Sequence, residues 1–193
     1  MAGMVLLGGP LGSGKSALYR SHVRQKLDGL PRLDVEEVLY GPEPADTRAA
    51  AWEWLRAERQ RYLEAGYGFV TETRMDQVGE TEFLHDVRKR DYSIRLILVG
   101  VGQELALERI RCRDGELGGP EIGSILRDRH QESLERLGDA LAVVDDAVVL
   151  DNSDLSGHRA LVRACDGRVE VLSDDFPEWA KQVWRRSGFS ESA

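Results

Sequence analysis

The sequence predicts an α/β fold: a three-layer sandwich with a mostly parallel, five-stranded sheet, plus a C-terminal β-hairpin and a short helix. Three observations predict it. Short apolar runs (Met4–Leu7, Tyr67–Thr71, Ile94–Val99, Ala147–Leu150) alternate with segments of helical spacing. The run Ile94-Arg95-Leu96-Ile97-Leu98-Val99 is nearly continuous, as in a parallel strand covered on both faces. The first run leads through Gly9-Pro10-Leu11-Gly12-Ser13-Gly14-Lys15-Ser16 into a helix, the strand–loop–helix setting that a G-x-x-x-x-G-K-S loop requires. The 193 residues predict one domain, with its core at about residues 4–155 and the hairpin and helix an appendage at about 158–187.

Taken in order, a helix is expected from Lys15 to about Leu27, ended by Asp28-Gly29. Leu30 to Asp34 is a brief extended piece, weakened as a strand by Pro31, and a helical turn follows at Glu36-Glu37-Val38. Asp46-Thr47 caps a long helix through Ala65, whose Ala51, Trp52, Leu55, Tyr62 and Leu63 keep helical spacing, and Gly66 stops it. The next strand ends in Glu72-Thr73-Arg74. Helices are expected at about 80–90, 103–113 and from Ile122 or Ser124 to Val143, and the last core strand ends in Asp151-Asn152-Ser153. Leu161–Ala164 and Val169–Leu172 flank Cys165-Asp166-Gly167-Arg168 as a hairpin, and Pro177 to Arg186 suits a final helix. The tryptophans at 52, 54, 179 and 184 suit packing rather than base stacking.

Composition narrows the function classes. A net charge of −8 does not suit a protein that holds long nucleic acid by bulk charge. No apolar run approaches the ~20 residues needed to span a bilayer. The N-terminus runs straight into a strand, so a cytoplasmic protein is expected, with Cys112 and Cys165 as reduced, buried thiols. The four histidines are dispersed and form no metal or triad pattern.

In doubly wound sheets ligands sit beyond the carboxyl ends of the strands, and the polar residues there are the candidates. Gly9, Gly12 and Gly14 allow backbone conformations that bring N–H groups, with those of Ser13 and its neighbours, around an anion at a helix start. Lys15 is expected along the β- and γ-phosphates of ATP, and the Ser16 hydroxyl as an Mg²⁺ ligand. Asp34 suits either the base that accepts a hydroxyl proton or the N-cap of the turn that follows, with Glu37 three residues on. Glu72, a charge at the end of an apolar strand, suits an acceptor or metal role or a salt bridge to an arginine, and Thr73 beside it a hydrogen bond. Arg109, Arg111 and Arg113 lie in one helix and Arg127 and Arg129 in the next. They suit either cations on a migrating phosphoryl group or surface ion pairs, and Gly118-Gly119 between them suits a closing lid. Asn152 suits reading of a nucleotide ring edge or an Asx turn.

Taken in order, these pieces resemble the zeta-toxin family of P-loop kinases. The resemblance runs over Gly9–Ser16, Asp34 in Leu33-Asp34-Val35-Glu36-Glu37, Thr71-Glu72-Thr73, the segment Glu104 to Arg113, Gly118-Gly119, Arg129, Ser133-Leu134 and Asp151-Asn152-Ser153. It implies transfer of the γ-phosphate of ATP, in the best-known members to the 3′-hydroxyl of UDP-N-acetylglucosamine. Carried over, Lys15 and Ser16 hold ATP and Mg²⁺, Asp34 is the general base, Glu72 and Thr73 contact the acceptor, and Arg113 and Arg129 stabilise the transferred group. An antitoxin protein is the partner the family implies. The family's Gly-Gly-His is Gly118-Gly119-Pro120 here, which leaves the acceptor open. Other small-molecule hydroxyls, a polynucleotide 5′-hydroxyl, or nucleotide binding without transfer are the alternatives.

Overall fold

The structure, a computed structural model, describes residues 3–42, 44–115, 120–154, 157–165 and 168–188. Among them, seven strands form one sheet in the order β2-β3-β1-β4-β5-β6-β7. β1 (Gly3–Gly8), β2 (Arg32–Leu33), β3 (Phe69–Thr73), β4 (Ser93–Gly100) and β5 (Asp146–Asp151) are parallel, the five strands that were expected. The hairpin, β6 (Arg159–Cys165) and β7 (Arg168–Val171), is present at the sheet's edge. β6 pairs antiparallel with β5 and continues the sheet. The connection at 166–167, the Gly118-Gly119 loop and the tail at 189–193 lie outside the described residues.

The alternation along β1 explains the layering. Met4 and Leu6 point to one face and Val5 and Leu7 to the other, as a period of two demands. The second face packs on α1 (Lys15–Leu18) through Leu18, Tyr19 and Val23. That helix continues through a π turn at Tyr19–Val23 and a 3₁₀ turn at Arg24–Leu27, so its end is tighter and looser by turns than the single helix expected. The first face packs on α3 (Arg48–Ala65), α4 (Glu80–Lys89), α6 (Pro120–Leu141) and α7 (Glu178–Arg186). α2 (Val35–Tyr40) and α5 (Gln103–Asp114) follow β2 and β4.

Several boundaries follow from caps. Thr47 Oγ1 accepts from Ala50 N at 3.1 Å and opens α3, and Gly66, at φ 71°, closes it. α3 buries Ala51, Trp52, Leu55 and Leu63 as its spacing required, but Trp54 is exposed. Cys112 and Cys165 form no disulfide, yet Cys112 is exposed and Cys165 half-buried rather than core. Among the described residues no helix is long and apolar enough to cross a membrane.

The sheet order positions the site. β1 sits where the order reverses, with β3 and β2 on one side and β4 and β5 on the other. The carboxyl ends of β1, β3 and β2 therefore stand side by side and carry the glycine loop, Glu72-Thr73 and Asp34.

Candidate active site

The loop after β1 has the shape its glycines permit. Gly12 and Gly14 take φ of 80° and 95°, where a side chain is strained. A Cβ on Gly14 would also come within 2.3 Å of Asn152 Nδ2, so the loop is packed as well as turned. Lys15 is buried, and its Nζ donates to Gly9 O at 2.6 Å and Pro10 O at 3.1 Å. Burial lowers its pKa to about 8, against the opposing pull of Glu72. Ser13 Oγ is buried with no hydrogen-bond partner among the described residues.

An open cleft of about 430 Å³ runs past this loop. Its walls bring together Lys15, Ser16, Asp34, Glu72, Thr73, Arg109 and Arg113. Ser16 Oγ donates to Glu72 Oε2 at 3.2 Å. Asp34 serves as the N-cap of α2, with Oδ1 accepting from Glu36 N at 3.1 Å. Capping leaves Oδ2 pointing elsewhere, toward Arg32 Nη2 at 2.6 Å. Burial pushes the Asp34 carboxyl up, Glu72 adds to this, and Arg32 opposes it.

Arg32 was not singled out by sequence. Its Nη2 also donates to Glu72 Oε1, its Nη1 to Glu37 Oε1 at 2.6 Å, and its guanidinium lies 4.4 Å from the centre of the Tyr19 ring. The available signal was the strand period: Arg32 and Asp34 are two apart and share a face.

A second buried arginine supports the same wall from behind. Arg59 is 1 % exposed. It donates from Nε to Thr71 Oγ1 at 3.0 Å, from Nη1 to Glu80 Oε1 at 2.7 Å, and from Nη2 to Glu72 O at 3.1 Å. The Thr73 hydroxyl donates to the other Glu80 oxygen and accepts from Met75 N at 2.9 Å. Thr73 therefore borders the cleft with its hydroxyl already engaged in the support layer. Sequence carried a sign of this: Arg59 is four residues past Leu55 and four before Leu63, in the apolar stripe of α3.

The arginines separate. Arg109 Nη2 donates to Asn152 O at 2.8 Å, and its Nη1 is buried without a partner among the described residues. Arg113 borders the cleft. Arg129 instead borders a small neighbouring cavity of about 40 Å³, with Asp76, His130 and Ser133, and Arg74 lines both. Arg74 pairs with Asp76 at 3.7 Å, so the arginine on Glu72 is Arg32. Arg127 pairs with Glu104 at 3.6 Å. Asn152 turns toward the loop, its Nδ2 donating to Ser13 O at 2.8 Å. No cluster of three or more His, Cys, Asp or Glu suited to a metal ion exists among the described residues.

The sequence profile of the family described as Zeta toxin matches residues 42–160, more than half of the chain. The match begins after the glycine loop and Asp34. No curated protein matches in sequence. A structure from the PezAT chromosomal toxin–antitoxin system of Streptococcus pneumoniae is similar at TM-score 0.63 and 14% identity, over 97% of this chain and 84% of that one. The AvrRxo1-ORF1:AvrRxo1-ORF2 complex with ATP is similar at TM-score 0.57 and 12% identity, over 100% of this chain and 66% of that one. The native form of that complex matches at TM-score 0.58 and 12% identity, over 97% of this chain and 64% of that one. The chain thus spans slightly less than two thirds of the length of those AvrRxo1 chains. At such identities the likeness is one of fold.

Proposed function

The chain belongs to the zeta toxin family, and on that premise we propose that it is a P-loop kinase that moves the γ-phosphate of ATP to a hydroxyl of a small-molecule acceptor. The acceptor we propose is UDP-N-acetylglucosamine or a related nucleotide sugar, from the family resemblance. The observation that carries the reading is the cleft in which the glycine loop, two buried carboxylates and the arginines Arg20, Arg74, Arg109 and Arg113 meet.

Each residue then has a task. The loop N–H groups and Lys15 hold the triphosphate, with Lys15 exchanging the carbonyls of Gly9 and Pro10 for phosphate oxygens. Asp34 takes the proton of the acceptor hydroxyl as it attacks phosphorus. Its raised pKa makes it a better base than a solvated carboxylate, and its capping bond holds it in one orientation. Arg109 and Arg113 from the cleft wall, with Arg129 from the adjoining cavity, supply cations to the phosphoryl oxygens. Asn152 orders the loop at its nucleotide side. Glu72 holds acceptor hydroxyls through the oxygen it shares with Arg32, and Thr73 fixes the end of that strand.

The donor set suits Mg²⁺. Ser16 Oγ and Glu72 Oε2 are hard oxygens 3.2 Å apart. With so few protein ligands, phosphate oxygens and waters would supply the remaining donors, which suits Mg²⁺. Bound there, the ion would neutralise charge on the phosphates. Neighbours from toxin–antitoxin and two-chain complexes support a protein antitoxin as partner.

The test is a labelled-ATP transfer assay on the purified chain with UDP-N-acetylglucosamine, a panel of sugars and nucleotide sugars, short oligonucleotides, and a metabolite extract. Label on a nucleotide sugar is the expected result. Label on the oligonucleotides alone, or on nothing while ATP binds, overturns the reading.

A further inference from the structure

The hairpin and last helix have no place in the mechanism above, yet they meet the strand ends beside the glycine loop at Asp151 and Gly100. Asp151, the last residue of β5, is buried. Its Oδ1 accepts from Trp179 Nε1 of α7 at 3.2 Å and from Ser153 Oγ at 2.6 Å, and its Oδ2 accepts from Arg159 Nη2 of β6 at 3.0 Å. Arg159 is directly across from Asp151 in the ladder. The Trp179 ring also covers the last residue of β4: a Cβ on Gly100 would come within 2.2 Å of it. Gly100 O in turn accepts from Asn152 N at 2.9 Å. The backbone entering Asn152 is thus held on two sides by groups that Trp179 touches.

Asn152 passes this order to the loop. Its Nδ2 donates to Ser13 O at 2.8 Å. In a trans peptide the C=O and the following N–H point to opposite sides. Fixing Ser13 O toward Asn152 therefore turns the Gly14 N–H the other way, and it keeps a carbonyl from facing an anion. A loop that binds phosphate by backbone N–H groups depends on such orientation.

We propose that Asp151 is a positioning residue through which the C-terminal hairpin and helix hold the phosphate-binding loop in its nucleotide-receiving shape. Trp179 and Arg159 fix Asp151, Asp151 fixes Asn152, and Asn152 fixes the Ser13–Gly14 peptide. The inference rests on the reading that the loop binds ATP.

The test is a double-mutant cycle on the full chain, read as the Kd of ATP with Mg²⁺ by calorimetry. Asp151→Ala raises the Kd on the order of tenfold in the otherwise native chain, but by less than about twofold in an Asn152→Ala background, because coupled residues are non-additive. Trp179→Phe keeps the ring over Gly100, removes the N–H donor, and raises the Kd in the same coupled way. If Asp151→Ala does not fold, the Trp179→Phe and Asn152→Ala cycle decides. Val87→Ala, which leaves a cavity at the end of α4 in the core, away from α7 and β6, lowers stability and leaves the Kd unchanged. Equal effects in both backgrounds, or unchanged binding in Asp151→Ala and Trp179→Phe, overturn the inference alone. Absence of ATP binding by the native chain overturns the ATP reading, and the inference with it.

Discussion

Arg32 Nη2 lies 2.6 Å from Asp34 Oδ2, so the carboxylate proposed as the base is ion-paired before any acceptor arrives. The same nitrogen also serves Glu72. The three side chains are 11 %, 7 % and 9 % exposed, and one cation stands between two buried anions. Arg32→Ala leaves those anions facing each other without their ion-paired arginine. Breaking a buried pair by removing one partner is costly, and a loss of roughly 3 kcal/mol is expected here, measured by urea unfolding. Arg32→Lys recovers part of it, because it restores the charge between Asp34 and Glu72 without the second nitrogen that reaches Glu37. A change below about 0.5 kcal/mol in Arg32→Ala, the range of an ordinary surface substitution, would show that the pairing contributes nothing.

Asp34→Asn separates the two tasks of that residue. Asn caps helices about as well as Asp, so the bond to Glu36 N persists and α2 remains in place. What is lost is the proton acceptor. Phosphoryl transfer is expected to fall by about 10²–10⁴-fold, while the Kd of ATP stays within about threefold, a difference of less than 1 kcal/mol. Near-normal turnover in this variant sinks the assignment of Asp34 as base.

The glycine loop, Asp34 and Glu72 were legible because each is announced locally: by a motif, by a cap spacing, or by a charge ending an apolar strand. Arg32 and Arg59 were not, although both carry a local sign. What makes Arg32 matter is the alignment of β2 with β3, which brings a residue forty positions away within reach. Arg59 reads as one more charge on a charged helix until α4 delivers Glu80 to it. The hairpin was legible as a hairpin. That it extends the sheet lies in the antiparallel pairing of β6 with β5, which the alternation along either strand does not name. Arg129, grouped with Arg113 by the resemblance, lines a small cavity that adjoins the cleft through Leu11, Arg74 and Ile110.

If Lys15 holds ATP as proposed, binding is expected to depend on pH with a definite sign. Its pKa in the free protein is about 8, below the usual 10.5. Phosphate oxygens favour the ammonium form, so the pKa rises on binding. Between about pH 8 and the bound value, the complex takes up a proton that the free protein lacks, and affinity falls as pH rises, by at most about tenfold per unit. For stability the sign is opposite: between pH 8 and 10.5 the unfolded chain holds the extra proton, so this residue makes folding more favourable as pH rises. Calorimetry at pH 7 and 9, in buffers of differing ionisation heat, measures both the affinity and the proton uptake. A flat profile contradicts the depressed value. Lys15→Ala should remove the dependence together with activity and most nucleotide affinity, and unchanged ATP binding in that variant would refute the phosphate-loop assignment.

Arg59 tests whether the support layer matters for stability. It satisfies Thr71, Glu80 and the Glu72 carbonyl with three separate nitrogens. Its ring-facing side lies 4.9 Å from the centre of Phe83. Arg59→Met fits the apolar stripe of α3 but leaves the Glu80 carboxylate buried and unpaired, at an expected cost of roughly 3–5 kcal/mol. Replacing the pair together, Arg59→Met with Glu80→Gln, removes the stranded charge while keeping a polar partner for Thr73. That double variant should therefore be more stable than Arg59→Met alone by about 1–3 kcal/mol, measured by urea unfolding. If the double variant is no better than the single, the carboxylate was not the source of the cost, and the loss belongs instead to the hydrogen bonds on Thr71 and Glu72. In that case Glu72 should shift with its carbonyl, and the contact between Glu72 and Ser16 Oγ, 3.2 Å in the native chain, should lengthen in a crystal structure of Arg59→Met.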